Sequence, residues 1–261
     1  MTRRRWIAEH WDEATATLVG EQAEHLTRVL RAQPGMEADV VAGGHVFHAQ
    51  VAAVARGEVR FNLIAELEAD PALPVTLVMA VYKFDHMEWA IEKATELGVA
   101  AIAPVIARRT EKHLAAAAGK RADRWRRIVH EAAKQARRTD VPIIFEPAPL
   151  AVRVRAASES SESLESSVSL EATRSSATAY IVLAEQERTT TLRHALDEAM
   201  SAAGAETPTL ELAIGPEGGW APSEEALFDA NGWRAASLGP RILRAETAAI
   251  AALAVVASYL E

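Results

Sequence analysis

Beyond about residue 72 the chain repeats one pattern. A short apolar run is followed by a turn, and then by a stretch in which apolar residues recur every three or four positions. The runs Val75–Val81, Ile102–Ile106, Ile143–Glu146, Tyr180–Ala184, Leu210–Ile214 and Ala235–Leu238 read as strands. The periodic stretches Met87–Leu97, Arg121–Arg137, Leu192–Ala203, Pro222–Ala230 and Ala245–Leu260 read as helices. Pro222, Glu224 and Glu225 mark one helix start, with proline in the first turn and acids at the positive end of the dipole. Strands alternating with helices predict an α/β domain built on a mostly parallel sheet. Before residue 72 the pattern differs. Ala16–Val19, Asp39–Ala42, His45–Ala52 and Glu58–Glu66 are short β-like runs separated by turns at Pro34-Gly35 and Gly43-Gly44, which predicts a small barrel. Pro71 and Pro74 mark the joint, so the domains are placed at 1–72 and 73–261.

One segment fits neither pattern. Residues 156–176 are rich in serine and glutamate and hold no aromatic residue. Such a composition buries too little to offset its ordering entropy, so a mobile surface insertion is expected.

The candidate chemistry lies in two loops, each leading from an apolar run into a helix. The first is Ile214-Gly215-Pro216-Glu217-Gly218-Gly219; the second is Leu238-Gly239-Pro240-Arg241-Ile242-Leu243-Arg244-Ala245-Glu246-Thr247. Glycines after a strand let the backbone turn sharply and approach a ligand, because no Cβ intervenes. The second loop adds two cations, an anion and a hydroxyl between Arg241 and Thr247. Neither loop is a P-loop, since no Lys-Ser or Lys-Thr pair follows the glycines, and no Gly-x-Gly-x-x-Gly occurs.

Composition narrows the classes. The chain has 261 residues, 49% of them hydrophobic, and no cysteine. Disulfides, thiolate metal sites and cysteine nucleophiles are thereby excluded. The eight histidines show no metal spacing, so no metal is expected. No apolar run approaches the roughly twenty residues of a membrane span, and the acids Glu9, Asp12 and Glu13 interrupt the N-terminus before any signal-like core. A cytoplasmic, non-membrane protein is expected.

A net charge of −8 argues at first against a nucleic-acid partner, but its distribution reverses that. Between Arg108 and Arg138 eleven Lys or Arg stand against three acids, a local balance of +8. From Ala177 to Glu261 five arginines face twelve acids, a balance of −7. A basic stripe on an acidic protein suits phosphate recognition, because the local field steers the backbone; a plain solvated helix face is the alternative. Trp125 within the stripe reads either as a base-stacking platform or as a core anchor.

The two C-terminal loops, taken with several upstream segments, resemble the ribosomal RNA uridine N3-methyltransferases of the RsmE type, within the SPOUT superfamily. The upstream segments are His25-Leu26-x-x-Val29-Leu30-Arg31 with Pro34-Gly35, Lys83-x-Asp85-x-Met87-Glu88 running into Ile91–Val99, and Ile128–Ala136 with Val141-Pro142. The similarity spans nearly the whole chain. Where that family usually has arginine this chain has His86, and its Glu-Gln-x-Gly-Arg run appears as Lys134-Gln135-Ala136-Arg137-Arg138. Its usual N-cap serine is Ala221, a change worth about 1 kcal/mol at that helix start.

The resemblance implies a trefoil-knotted α/β methyltransferase domain behind a PUA-like RNA-binding β-barrel, S-adenosylmethionine as methyl donor, and methylation of N3 of a uridine in 16S ribosomal RNA. The substrate would be the assembled small subunit and the active unit a homodimer, the latter consistent with a helix Ala245–Leu260 that is apolar most of the way round. It assigns the donor to Leu183, Ile214, Gly215, Pro216, Glu217, Gly218, Gly219, Leu238, Gly239, Ile242, Leu243, Arg244 and Thr247. RNA contacts fall on His25, Arg28, Arg31, Lys83, Arg109, Arg126, Arg127, Gln135 and Arg138. The chemistry asks for a cation to hold the uridine anion, Arg241 or Arg244, and a carboxylate to take the N3 proton, Glu246 or Glu217. Glu246 has a second reading, as the ion-pair partner of one of those arginines. Methylation of another RNA position, such as a ribose 2′-hydroxyl, and a non-catalytic RNA-binding assembly factor are the competing functions.

Overall fold

The computed structural model describes residues 5–68, 71–162, 178–205 and 207–260. The chain divides into two units, residues 1–71 with 133–141, and residues 72–132 with 142–261. One boundary falls between Pro71 and Ala72, and the inclusion of 133–141 in the first unit was not legible in the sequence.

The first unit is a six-stranded sheet in the order β1-β4-β5-β6-β3-β2. Its strands are β1 (Arg5–Ile7), β2 (His10–Trp11), β3 (Thr15–Val19), β4 (Glu37–Ala42), β5 (His45–Ala55) and β6 (Glu58–Leu67). The expected barrel takes the form of a curled half-barrel whose edge strands β1 and β2 are each paired on one side only. Alternation drives the curl inward, with Leu18, Val40, Val51, Val59 and Phe61 filling one core. A short helix α1 (Gly20–Glu24) and a π-helical turn (His25–Val29) follow β3.

The second unit is a seven-stranded parallel sheet, β10-β8-β7-β12-β11-β13 with β9 also paired to β8. The strands are β7 (Leu73–Ala80), β8 (Val99–Ile106), β9 (Ile143–Ile144), β10 (Ala148–Pro149), β11 (Thr178–Leu183), β12 (Thr209–Ile214) and β13 (Arg234–Ala236). Both faces are covered, as a parallel sheet requires. Val75, Leu77 and Met79 of β7 point into one core, while Val78 and Ala80 point into the other.

Helices α2 (Phe84–Glu96), α5 (Leu192–Ala203), α6 (Pro222–Ala230) and α7 (Ala245–Leu260) lie where periodicity placed them, α5, α6 and α7 to the residue. Thr191 caps α5 by accepting the His194 amide at 3.2 Å. Helix α3 (Lys112–Gln135) begins nine residues before the expected Arg121, because the alanine run ahead of Gly119 has strong helix propensity. It ends where Arg137 turns left-handed, φ 59°, with the Arg138 amide reaching back to the Ala133 carbonyl. Strand β13 is shorter than the run Ala235–Leu238 suggested, and Ser237 makes only an isolated bridge with Thr191.

Helix α4 (Leu150–Glu162) corrects the reading of residues 156–176: the first seven are helical. The remaining residues of that segment, 163–176, lie outside the described ones. Strand β11 then starts at Thr178, at the amino-terminal end of the sheet.

Candidate active site

The two glycine loops meet. Strands β11, β12 and β13 end side by side, and their carboxyl-terminal loops wall an open cleft. Its location follows the rule that open parallel sheets bind ligands beyond their strand ends. Leu183, Ile214, Leu238, Ile242, Leu243 and Ala248 give it apolar walls. Gly215, Pro216, Glu217, Gly219, Gly239 and Arg241 add backbone groups and charge.

Each glycine has its own reason. Gly219, φ 70°, closes a tight turn by donating its amide to the Pro216 carbonyl at 2.8 Å. Gly239, φ 116°, has open space where a Cβ would be, so the cleft runs directly over its backbone. Gly215 answers to a neighbour: a Cβ there would sit 3.2 Å from the indole of Trp220. That indole is buried and donates its Nε1–H to the Leu183 carbonyl at 3.1 Å, joining the ends of β11 and β12.

Three residues expected at the donor do not line the cleft. Gly218 faces away, with its missing side chain directed at Arg109, whose guanidinium donates to the Gly218 carbonyl. Arg244 and Thr247 are exposed outside it. What sequence reasoning missed is the loop after β11, where Ala184, Glu185, Gln186 and Arg188 form one wall together with Trp220 and Ser237. The available signal was topological: that loop leaves the same sheet edge as the two glycine loops.

The catalytic candidates separate in the same way. Glu217 and Arg241 line the cleft and are exposed to it. Lys83 Nζ lies 3.9 Å from Glu217 Oε1. Glu246 is buried, and its partner is neither arginine. Its Oε1 lies 3.3 Å from Nδ1 of His86, and its Oε2 is buried without a hydrogen bond. The neighbouring Tyr82 hydroxyl is held far above its usual pKa by burial first, then by the charges of Glu246 and Glu217. Glu246 therefore fits an ordering role at the first turn of α7.

Glu224 does for α6 what the absent N-cap serine would do. Its buried carboxylate accepts the Ala221 amide at 2.8 Å and the Arg108 amide at 2.7 Å. Ala221 has no side-chain acceptor, so only the Glu224 half of a capping box is present.

Part of the basic stripe is engaged internally. Arg121 and Arg124 bind Glu88, and Arg126 binds Asp123 at 2.8 Å and also Glu146. Arg138 is nearly buried against Asp140, which corrects its reading as an RNA contact. Arg127 and Gln135 are exposed on α3. Trp125 is wholly buried, its ring 6.1 Å from that of Phe84, which settles it as a core anchor. In the first unit, His25 lies with its ring 5.9 Å from that of Trp6, Arg28 is 3.6 Å from Glu24, and Arg31 adopts φ 53°. Among the described residues no cluster of metal-binding side chains occurs, and no helix is long and apolar enough to cross a membrane.

Fold and cleft together define a SPOUT-type α/β methyltransferase domain, in a chain that also carries a small curled β unit. Residues 69–257 match the RNA methyltransferase domain, and the chain belongs to that family. It is 35% identical over 254 residues to a ribosomal RNA small subunit methyltransferase E of Synechocystis, covering 95% of this chain and 75% of the relative. The namesake from Mycobacterium bovis is 32% identical, with 93% and 86% covered. Among solved structures, the methyltransferase E of Neisseria gonorrhoeae bound to S-adenosyl methionine superposes with a TM-score of 0.74 at 25% identity, covering 99% of this chain and 98% of that one. A methyltransferase of Legionella pneumophila in complex with the same cofactor gives 0.70 at 28% identity, covering 99% and 98%.

Proposed function

We propose that this protein methylates N3 of a uridine in small-subunit ribosomal RNA, using S-adenosylmethionine held in the cleft beyond β11, β12 and β13. The observation that carries the reading is the cleft itself: apolar walls suited to an adenosine, with the left-handed Gly239 leaving backbone open where a side chain would intrude. The donor supplies a methyl group on a sulfonium, already a good leaving group. The protein's share is alignment and removal of the N3 proton. Arg241, exposed on the cleft, offsets the charge that develops on O2 and O4 of the uridine. Glu217 is a carboxylate open to the same space and takes the proton, with Lys83 beside it to orient it. Glu246 and Arg244 are set aside for these roles, the first by burial and the second by position.

RNA is held by exposed cations, Arg127 foremost, with Lys83 and Arg109 at the cleft side of the sheet and His25, Arg28 and Arg31 in the first unit. The substrate places the protein in the cytoplasm with the ribosomal subunits. A homodimer is supported by α7, whose outward face carries Ile250, Ala251, Ala254 and Val255, with Trp89 exposed on the adjoining α2. Light scattering tests this, and a fully active monomer would end it. Nucleoside analysis of ribosomal RNA from a deletion strain tests the reaction. Loss of one 3-methyluridine supports it; loss of a 2′-O-methyl nucleotide, or no change, overturns it.

A further inference from the structure

The cleft wall contributed by the loop after β11 carries charge that none of the proposed chemistry uses. Glu185 and Arg188 both line the cleft, both are exposed, and neither makes an ion pair with another described residue. Glu185 is also placed closely. Its Oε1 lies 3.3 Å from where a Cβ on Gly219 would stand, so the carboxylate leans over the turn that closes the first glycine loop. The loop is held firmly on both sides. The Ala184 amide donates to the Ala236 carbonyl at 3.0 Å and the Glu187 amide to the Ala184 carbonyl at 3.2 Å. Beyond it, Glu187 accepts the amides of Thr189 and Thr190 at 2.6 and 2.9 Å.

A carboxylate fixed on the wall of a ligand cleft without an internal partner is a receptor for a cation. The donor proposed for this cleft carries two, the sulfonium at the reacting centre and the α-ammonium at the far end of its amino-acid arm. The sulfonium methyl must face the uridine, beside Arg241 and Glu217. Glu185 stands on a different wall, with a cation three residues on, Arg188, for the arm's own carboxylate. We propose that Glu185 binds the α-ammonium of S-adenosylmethionine, with Arg188 facing its carboxylate, so that this loop reads the amino-acid end of the donor. The proposal rests on the assignment of the cleft to the donor.

Calorimetry with three ligands tests it on wild-type protein and on Glu185→Gln, an isosteric change on an exposed side chain. S-adenosylmethionine and S-adenosylhomocysteine both carry the ammonium; 5′-methylthioadenosine lacks the amino-acid arm. A charge-assisted hydrogen bond predicts a loss of about 10- to 100-fold for the first two, with methylthioadenosine unchanged within about twofold. Loss for S-adenosylmethionine alone would move the contact to the sulfonium and overturn the assignment, as would an equal loss for all three or none. Gly239→Val reports on the cleft separately, since a side chain there should remove all three ligands. Retention of all three would overturn the placement of the donor itself, whatever Glu185→Gln shows.

Discussion

The link between Glu224 and two backbone amides gives the sharpest quantitative test of how the site is braced. Glu224→Gln keeps the shape of the side chain and one acceptor oxygen, but turns an –NH₂ toward either the Ala221 or the Arg108 amide. One hydrogen bond to a charged acceptor is lost, worth about 1.5–3 kcal/mol, and a largely buried N–H is left facing another donor, which costs about 1–3 kcal/mol more. The carboxylate is only 4% exposed, so solvent recovers little of this. The expected loss is about 2.5–6 kcal/mol. For a unit of this size that lowers the melting temperature by about 5–25 °C. Urea unfolding measures the free energy directly. Because Arg109, next to Arg108, holds the Gly218 carbonyl, donor affinity should also fall several-fold in folded protein. Ala221→Ser in the wild-type background should gain about 0.5–1 kcal/mol by adding the missing cap. A Glu224→Gln protein within about 0.5 kcal/mol of wild type, with unchanged donor affinity, would refute the bracing argument.

Three further outcomes are expected. Trp125→Ala should cost about 3–5 kcal/mol in urea unfolding; unchanged stability with weakened RNA binding would restore the base-stacking reading. Arg127→Glu should weaken RNA binding and flatten its salt dependence more than Arg126→Glu does, because Arg126 is already engaged by Asp123 and Glu146; equal slopes in a filter-binding titration would contradict this. Glu187 is lowered to a pKa of about 2 by hydrogen bonds from Thr189 and Thr190. A depressed carboxylate favours the folded loop above its unfolded pKa and loses that contribution as pH falls through the folded one, so amide resonances of Thr189 and Thr190 should stay protected at pH 4 and lose protection toward pH 2.

Much of this architecture was legible because local signals and tertiary structure agreed. The ends of α5, α6 and α7 coincide with Thr191, Pro222 and the loop before Ala245, where capping residues or proline punctuate the sequence. The alternation of apolar runs with helical periods gave the parallel sheet. What escaped were features set by pairing rather than pattern. Strands β1, β2, β9 and β10 are two or three residues long, too short to carry a period, and exist because a longer neighbour offers hydrogen-bonding groups. The fate of the arginines escaped for a similar reason: Arg124 and Arg126 meet Glu88 and Glu146, residues twenty or more positions away. In the site, loop chemistry identified Gly219, Gly239, Glu217 and Arg241, but the wall from Ala184 to Arg188 has no glycine and no signature. Only its position beside β12 and β13 gives it a role.

Helix α4 ends at Glu162 and β11 begins at Thr178, at one end of the sheet, whereas the cleft opens where β11 finishes. Six residues of strand separate the two, about 20 Å at the rise of an extended chain. A fluorophore or an affinity tag spliced in just ahead of Thr178 is thus anchored a strand's length from the reacting groups, a useful place for following the enzyme on its ribosomal substrate.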